Sequence, residues 1–253
     1  MDLQIVNPNP RYSKVHLMEP TRRGYIYVAA CVQPHGAVVL PTPKRFRLLR
    51  RLKDLTRGLE RVEGVIKGDV FRAIIVPPPE RFSMYLQERT PPMQPADFDV
   101  AALVQTISPS AAQEVARSAA YRALVEAMRT ASLDRRVFTM VAHNAKRIAN
   151  VDTSRDGLFL FNHFAADDPS VMLHLWDYLA DWYTKETGLN NSIALVPEAG
   201  QRSDYSIVNW ARWEMGPLRH FWHQLSKKSF WRYITQNLEA NHAASMPIYC
   251  RLA

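Results

Sequence analysis

Two hydrophobic spacings alternate along the chain, and their order repeats. After Gly24 the run Tyr25 to Val32 is aromatic and β-branched and stops at Pro34, which predicts a strand. Phe46, Leu48, Leu49, Leu52, Leu55 and Leu59 then recur at helical spacing between basic residues, predicting an amphipathic helix over 44–61. Val70 to Val76 reads as a strand halted by Pro77-Pro78-Pro79, and Asp99 to Ile107 as another. Ser108 and Pro109 suit a helix start, so 111–130 is expected as one alanine-rich helix, followed by a strand over Val137 to Ala142. The order then restarts. Leu158 to Phe161 is a strand, and a helix over 168–187 carries Val171, Leu175, Leu179 and Trp182 and closes at Gly188. Strands follow over 192–196 and 205–213. A last helix from Pro217 carries Leu218, Phe221, Leu225, Ile234 and Leu238, and a strand over 246–252 ends the pass.

Two passes of β, α, β, β, α, β predict two fused ferredoxin-like units, each an antiparallel four-stranded sheet with helices on one face. The bare face of each sheet is apolar, and packing the two faces together buries both. The expected organisation is an extended arm over 1–23, a first unit over 24–150 interrupted by a proline-rich insertion at 77–97, and a second unit over 156–253.

Composition narrows the class. Hydrophobic residues make up 47% of the chain, enough for a real core. No apolar run is long enough to span a bilayer and residues 1–10 are polar, so the expectation is a cytoplasmic protein with no membrane partner. Cys31 and Cys250 read as buried free thiols. The net charge of +8 combines +10 over residues 1–150, mostly around Arg22 and Arg23 and over 44–61, with −2 over 151–253. A solvated helix face accounts for that surplus better than a nucleic-acid site does.

The second half resembles a known family. Leu160 to Phe164, the helix carrying Trp176, Trp182 and Tyr183, the strand Tyr205 to Trp213 and the junction Ala211-Arg212-Trp213-Glu214 leading to Trp222 to Leu225 are similar to the dimeric α+β barrel superfamily. Within it they resemble the antibiotic-biosynthesis-monooxygenase group. The likeness covers 156–253 and implies a tandem duplication of that fold. Its members include cofactor-independent oxygenases, haem-dependent enzymes, cyclases and isomerases, so the fold leaves the reaction open.

The resemblance implies that an Asn and Trp pair lines a pocket between sheet and helices, with Asn162, Asn209 and Trp213 the positions that could supply it. Trp176, Tyr183 and His143 join them as substrate-binding candidates. By alternation His163 points away from Asn162, and both must find hydrogen-bond partners on apolar faces. His163 or His223 is the expected base, with Asn162 holding an oxyanion. His220 and His223 share a helix face, and His220 is the axial ligand if the protein binds haem. The position where haem-degrading relatives place that ligand holds Arg232 and Tyr233, so no cofactor is expected first, haem second, and no metal site. The leading reading is a cofactor-independent monooxygenase acting on a small apolar, aromatic or polyketide-like molecule, with a homodimer as a further partner. The alternatives are a haem enzyme of the same fold (dehydratase, peroxidase or haem-degrading) and a non-catalytic binding protein that uses the helix over 44–61 and the segment 77–97.

Overall fold

Turn chemistry and apolar alternation set the elements in a computed structural model that describes residues 2–8, 11, 12, 14–78, 86, 88, 93 and 95–253. In the first unit β1 (Gly24–Ala30) leads to α1 (Pro43–Leu59), β2 (Val65–Ile75) and β3 (Val100–Thr106). Two short helices, α2 (Pro109–Val115) and α3 (Ala119–Ala131), then lead to β4 (Phe138–Ala149). The second unit runs β5 (Leu158–Ala166), α4 (Pro169–Thr187), β6 (Ser192–Pro197), β7 (Ile207–Trp213), α5 (Pro217–Leu225), a π-helical turn at Phe230–Thr235, α6 (Gln236–Ala240) and β8 (Ala243–Leu252). Most of the proline-rich insertion lies outside the described residues.

Local signals explain the boundaries. Thr42, Ser108, Ser118 and Asp168 cap four helices through side-chain oxygens. Gly188 closes α4 at φ 68°, a conformation that favours glycine. Gly24 is required for another reason: a Cβ there would clash with the Ser108 carbonyl oxygen.

The eight strands close into one barrel in the order β1-β3-β2-β8-β5-β7-β6-β4. Each unit contributes four consecutive strands, β4-β1-β3-β2 and β8-β5-β7-β6, and the units join edge to edge at β2–β8 and β4–β6. Closure leaves neither sheet with a free outer edge. Inside, Tyr25, Tyr27, Phe71, Phe159, Phe161 and Trp210 fill the space between the sheets. Outside, each sheet carries its own layer of helices over a separate core.

The arm is held by both units: Met18 N donates to the Arg147 carbonyl and Thr21 N to Asn144 Oδ1 of β4, while its first residues lie on the second unit. Asn241 accepts from the Gln4 backbone N–H and donates to its carbonyl, Asn237 accepts from Val6 N, and Asp181 accepts from Val15 N.

Two expectations need correction. The helix over 111–130 is two helices, because Ser118 starts a new one with its own cap. The last helix is interrupted after Leu225, so its apolar positions are shared among α5, the π-helical turn and α6. Leu218, read as part of the apolar stripe, is exposed.

Candidate functional site

Alternation on the central strands decides which unit can hold a site. The helix-facing positions of β1 are Ile26, Val28 and Ala30, all buried and apolar. On β5 and β7 the corresponding face carries Leu160, Asn162, Phe164, Ile207, Asn209 and Trp213. Asn162 and Asn209 are register partners across these two strands. The second unit therefore sets two amides beneath its helices where β1 of the first has only hydrocarbon.

Asn162, Asn209, Trp213, Trp176 and Tyr183 meet in one cleft between sheet and α4. Its free volume is only about 20 Å³, room for one water molecule. The amides are already engaged. Asn209 Oδ1 accepts from Trp176 Nε1 at 2.9 Å and from Ser192 Oγ at 2.6 Å. Asn162 Oδ1 accepts from Ser245 Oγ at 2.9 Å, and Trp213 Nε1 donates to Thr187 Oγ1 at 3.0 Å.

Next to this cleft, sharing Tyr183 as a wall, is a larger cavity of about 190 Å³. It opens where the β2–β8 ladder stops. Ile75 pairs with Tyr249, and beyond that point β8 continues through Pro247, which has no N–H to leave unpaired. Ile75, Pro77, Pro78, Phe221, Leu225, Phe230, Ile234 and Leu238 give it apolar walls. Three of its lining residues, Phe230, Ile234 and Thr235, come from the π-helical turn, a geometry frequent at functional sites. Among the described residues, no charged side chain lines it.

Its polar edge is a hydrogen-bond chain. The Tyr249 hydroxyl donates to Gln224 Oε1 at 2.9 Å, which turns the Gln224 amide nitrogen towards the Tyr183 oxygen, a longer contact of 3.4 Å. The Tyr183 hydroxyl proton then remains for a ligand. Burial pushes the pKa of both tyrosines upward, so both keep their protons at neutral pH. The geometry can donate hydrogen bonds to a neutral or developing oxyanion. Gln224, Tyr249, Ser245 and Thr235 had not been singled out in the sequence. Two signals were available: Gln224 falls one turn after His220, and Tyr249 shares strand phase with Ser245 and Pro247.

The histidines lie elsewhere. His163 faces the barrel interior, fully buried, with Nδ1 3.2 Å from the Met246 carbonyl oxygen and Nε2 3.2 Å from the Tyr27 hydroxyl. Burial pulls its pKa down to about 3, so it is neutral near pH 7. His143 is paired with Glu198 at 2.7 Å on β4, which β6 and β7 separate from β5. His223 is half-buried and does not line the cavity. His220 is fully buried against Trp213, Phe221 and Tyr249, and neither ring nitrogen makes a hydrogen bond. Burial lowers its pKa to about 4, offset in part by the nearby Gln224 amide. For haem the fit is poor: the cavity wall presents no imidazole, and His220 is shut behind aromatic rings. No three His, Cys, Asp or Glu side chains gather as a metal set among the described residues.

Comparison with solved structures places this architecture. A candidate monooxygenase from Fusobacterium nucleatum subsp. nucleatum matches over 93% of this chain and 94% of its own, with a TM-score of 0.55 and 11% identity. An anthrone oxidase-like protein matches over 92% of each chain, with a TM-score of 0.59 and 9% identity. The chain has the dimeric α+β barrel fold. A chlorite dismutase from Candidatus Nitrospira defluvii aligns over 94% of each chain at 10% identity, but a TM-score of 0.46 adds nothing to that assignment. No protein-family model matches the barrel's sequence, and no curated protein does. At these identities the likeness concerns the barrel itself and leaves its chemistry to the residues.

Proposed function

We propose that the protein is an enzyme that binds a small apolar, aromatic or polyketide-like molecule in the cavity beneath the helices of its second unit, at the seam with the first, and oxygenates it with dioxygen, without a bound cofactor. The observation that carries this reading is the chain Tyr249–Gln224–Tyr183, which leaves one neutral phenol proton for a ligand in an apolar cavity. A donor of this kind stabilises a substrate enolate or phenolate oxygen and acidifies the adjoining carbon. The carbanion formed when that carbon loses its proton reduces dioxygen directly. A methylene beside the stabilised oxygen becomes a carbonyl, one oxygen atom enters the product and the other leaves as water. Such a step draws all its electrons from the substrate. The two neighbours that carry the argument for the fold, a candidate monooxygenase and an anthrone oxidase-like protein, are named for chemistry of this class.

In this scheme Phe221 and Phe230 pack against the ring of the substrate, and the apolar walls admit water only at the cavity mouth, where it takes up the substrate's proton. Asn162, Asn209, Trp176 and Trp213 form the packed layer behind, with Asn162 steadying the cavity residue Ser245. His163, on the far face of β5, is assigned no contact with substrate, and the proton leaves to water.

Oxygen uptake across a panel of phenols and carbonyl-activated aromatic methylenes is the test. The expectation is one dioxygen consumed per product, with kcat/KM falling about 100-fold in Tyr183→Phe, which removes only the hydroxyl. Tight binding without uptake would make the protein a ligand-binding module. A Soret band that forms on adding haem and is lost in His220→Ala would make it a haem enzyme.

A further inference from the structure

Among the described residues no helix is long and apolar enough to cross a membrane, but an interfacial helix needs no span. On α5, Leu218, Trp222 and Leu225 recur at spacings of four and three and so share one face. That face points outward: Leu218 is 85% exposed, Trp222 74% and Leu225 39%. Trp231, 41% exposed, closes the far end, its indole N–H donating to the Leu225 carbonyl. Isolated exposed apolar residues are ordinary, whereas four contiguous ones including two indoles form a docking surface.

Charge decides what docks there. From Met215 to Leu238 the sequence holds Arg219, Lys227, Lys228 and Arg232 and no carboxylate, although the second half of the chain is acidic overall. Glu186 of α4 pairs with Lys227. Arg219, Lys228 and Arg232 are exposed, with no ion pair among the described residues. A two-fold pairing of this patch with a second copy would set these cations against their own kind. An anionic lipid surface satisfies them while taking up the indoles and leucines.

We infer that α5 and the π-helical turn after it dock the protein on an anionic membrane surface, with the cavity mouth beside the lipid. Leu225 belongs both to the exposed face and to the cavity wall, so the two are continuous. Supply of an apolar substrate from the bilayer to that cavity rests on the function proposed above; the docking itself does not. It also departs from the sequence expectation of no membrane partner, which had considered only spans.

Co-sedimentation with phosphatidylcholine vesicles, with and without phosphatidylglycerol, tests the docking. The full chain is expected to pellet with the anionic vesicles at physiological salt, its tryptophan emission shifting to the blue. Leu218→Ser with Trp222→Ser should weaken this at least tenfold without moving the thermal unfolding midpoint. Lys228→Glu with Arg232→Glu should abolish the preference for phosphatidylglycerol. Tyr183→Phe should bind vesicles as the parent does, which separates docking from turnover. Failure to pellet with anionic vesicles overturns the inference, as does retention of binding in the Leu218/Trp222 variant. A dimer dispersed by those two substitutions, with no vesicle binding, assigns the face to self-association instead.

Discussion

Asn209 shows how much a single buried amide holds here. One oxygen receives both the Trp176 indole N–H and the Ser192 hydroxyl. Asn209→Leu keeps the size but strands two buried donors, and is expected to cost about 3 kcal/mol in urea-unfolding free energy. The two neutral histidines make a pH prediction. Relative to the ordinary value of 6.5, His163 is lowered to about 3 and His220 to about 4. Below about pH 6.5 the unfolded chain takes up protons on both while the folded chain takes up neither. The stability from keeping them neutral is therefore complete above that pH and is lost on acidification, towards about pH 4 for His220 and about pH 3 for His163. Each contributes at most about 1.4 kcal/mol per pH unit. Urea midpoints between pH 7.5 and 5 should fall steeply, and His163→Asn should remove about half of the slope. At this scale the cleft was legible in part. Asn162 and Asn209 lie on strands whose alternation is regular, so their shared face could be read. Tyr183, Gln224 and Tyr249 come from three distant elements, and no spacing announces that they meet.

Among the elements, caps were the most readable features and interruptions the least. Ser108-Pro109 and Asp168-Pro169 start helices where such pairs should. Ser118 was hidden because it sits in an alanine-rich run whose apolar period continues across the break. The break after Leu225 was hidden similarly, since Phe230, Ile234 and Leu238 resume helical spacing beyond it. The arm had no pattern of its own; partners on α4, at the end of α6 and on β4 give it a place. Asn241 alone holds the Gln4 backbone at both its N–H and its C=O. Asn241→Ala is expected to destabilise by about 2 kcal/mol and to speed limited proteolysis within residues 2–8, read by mass spectrometry.

At the scale of the molecule, the two units share an interior and so should share a transition. Phe71 of the first meets Phe159 and Phe161 of the second edge-on, with ring centroids 5.1 and 4.9 Å apart. Calorimetry should show one peak with matching calorimetric and van't Hoff enthalpies. Phe161→Ala should lower that single peak by the equivalent of about 4 kcal/mol without splitting it. The two-unit architecture was readable because the order of elements repeats, and closure followed from two apolar faces that each need cover. That closure has a cost in time. Its β2–β8 junction pairs Phe71 with Leu252, so the barrel cannot shut until β8 has left the ribosome. At about 5–20 residues per second the first sheet waits several seconds with Tyr25, Tyr27 and Phe71 uncovered. During synthesis that aromatic face stays open to solvent until the second sheet is made to cover it.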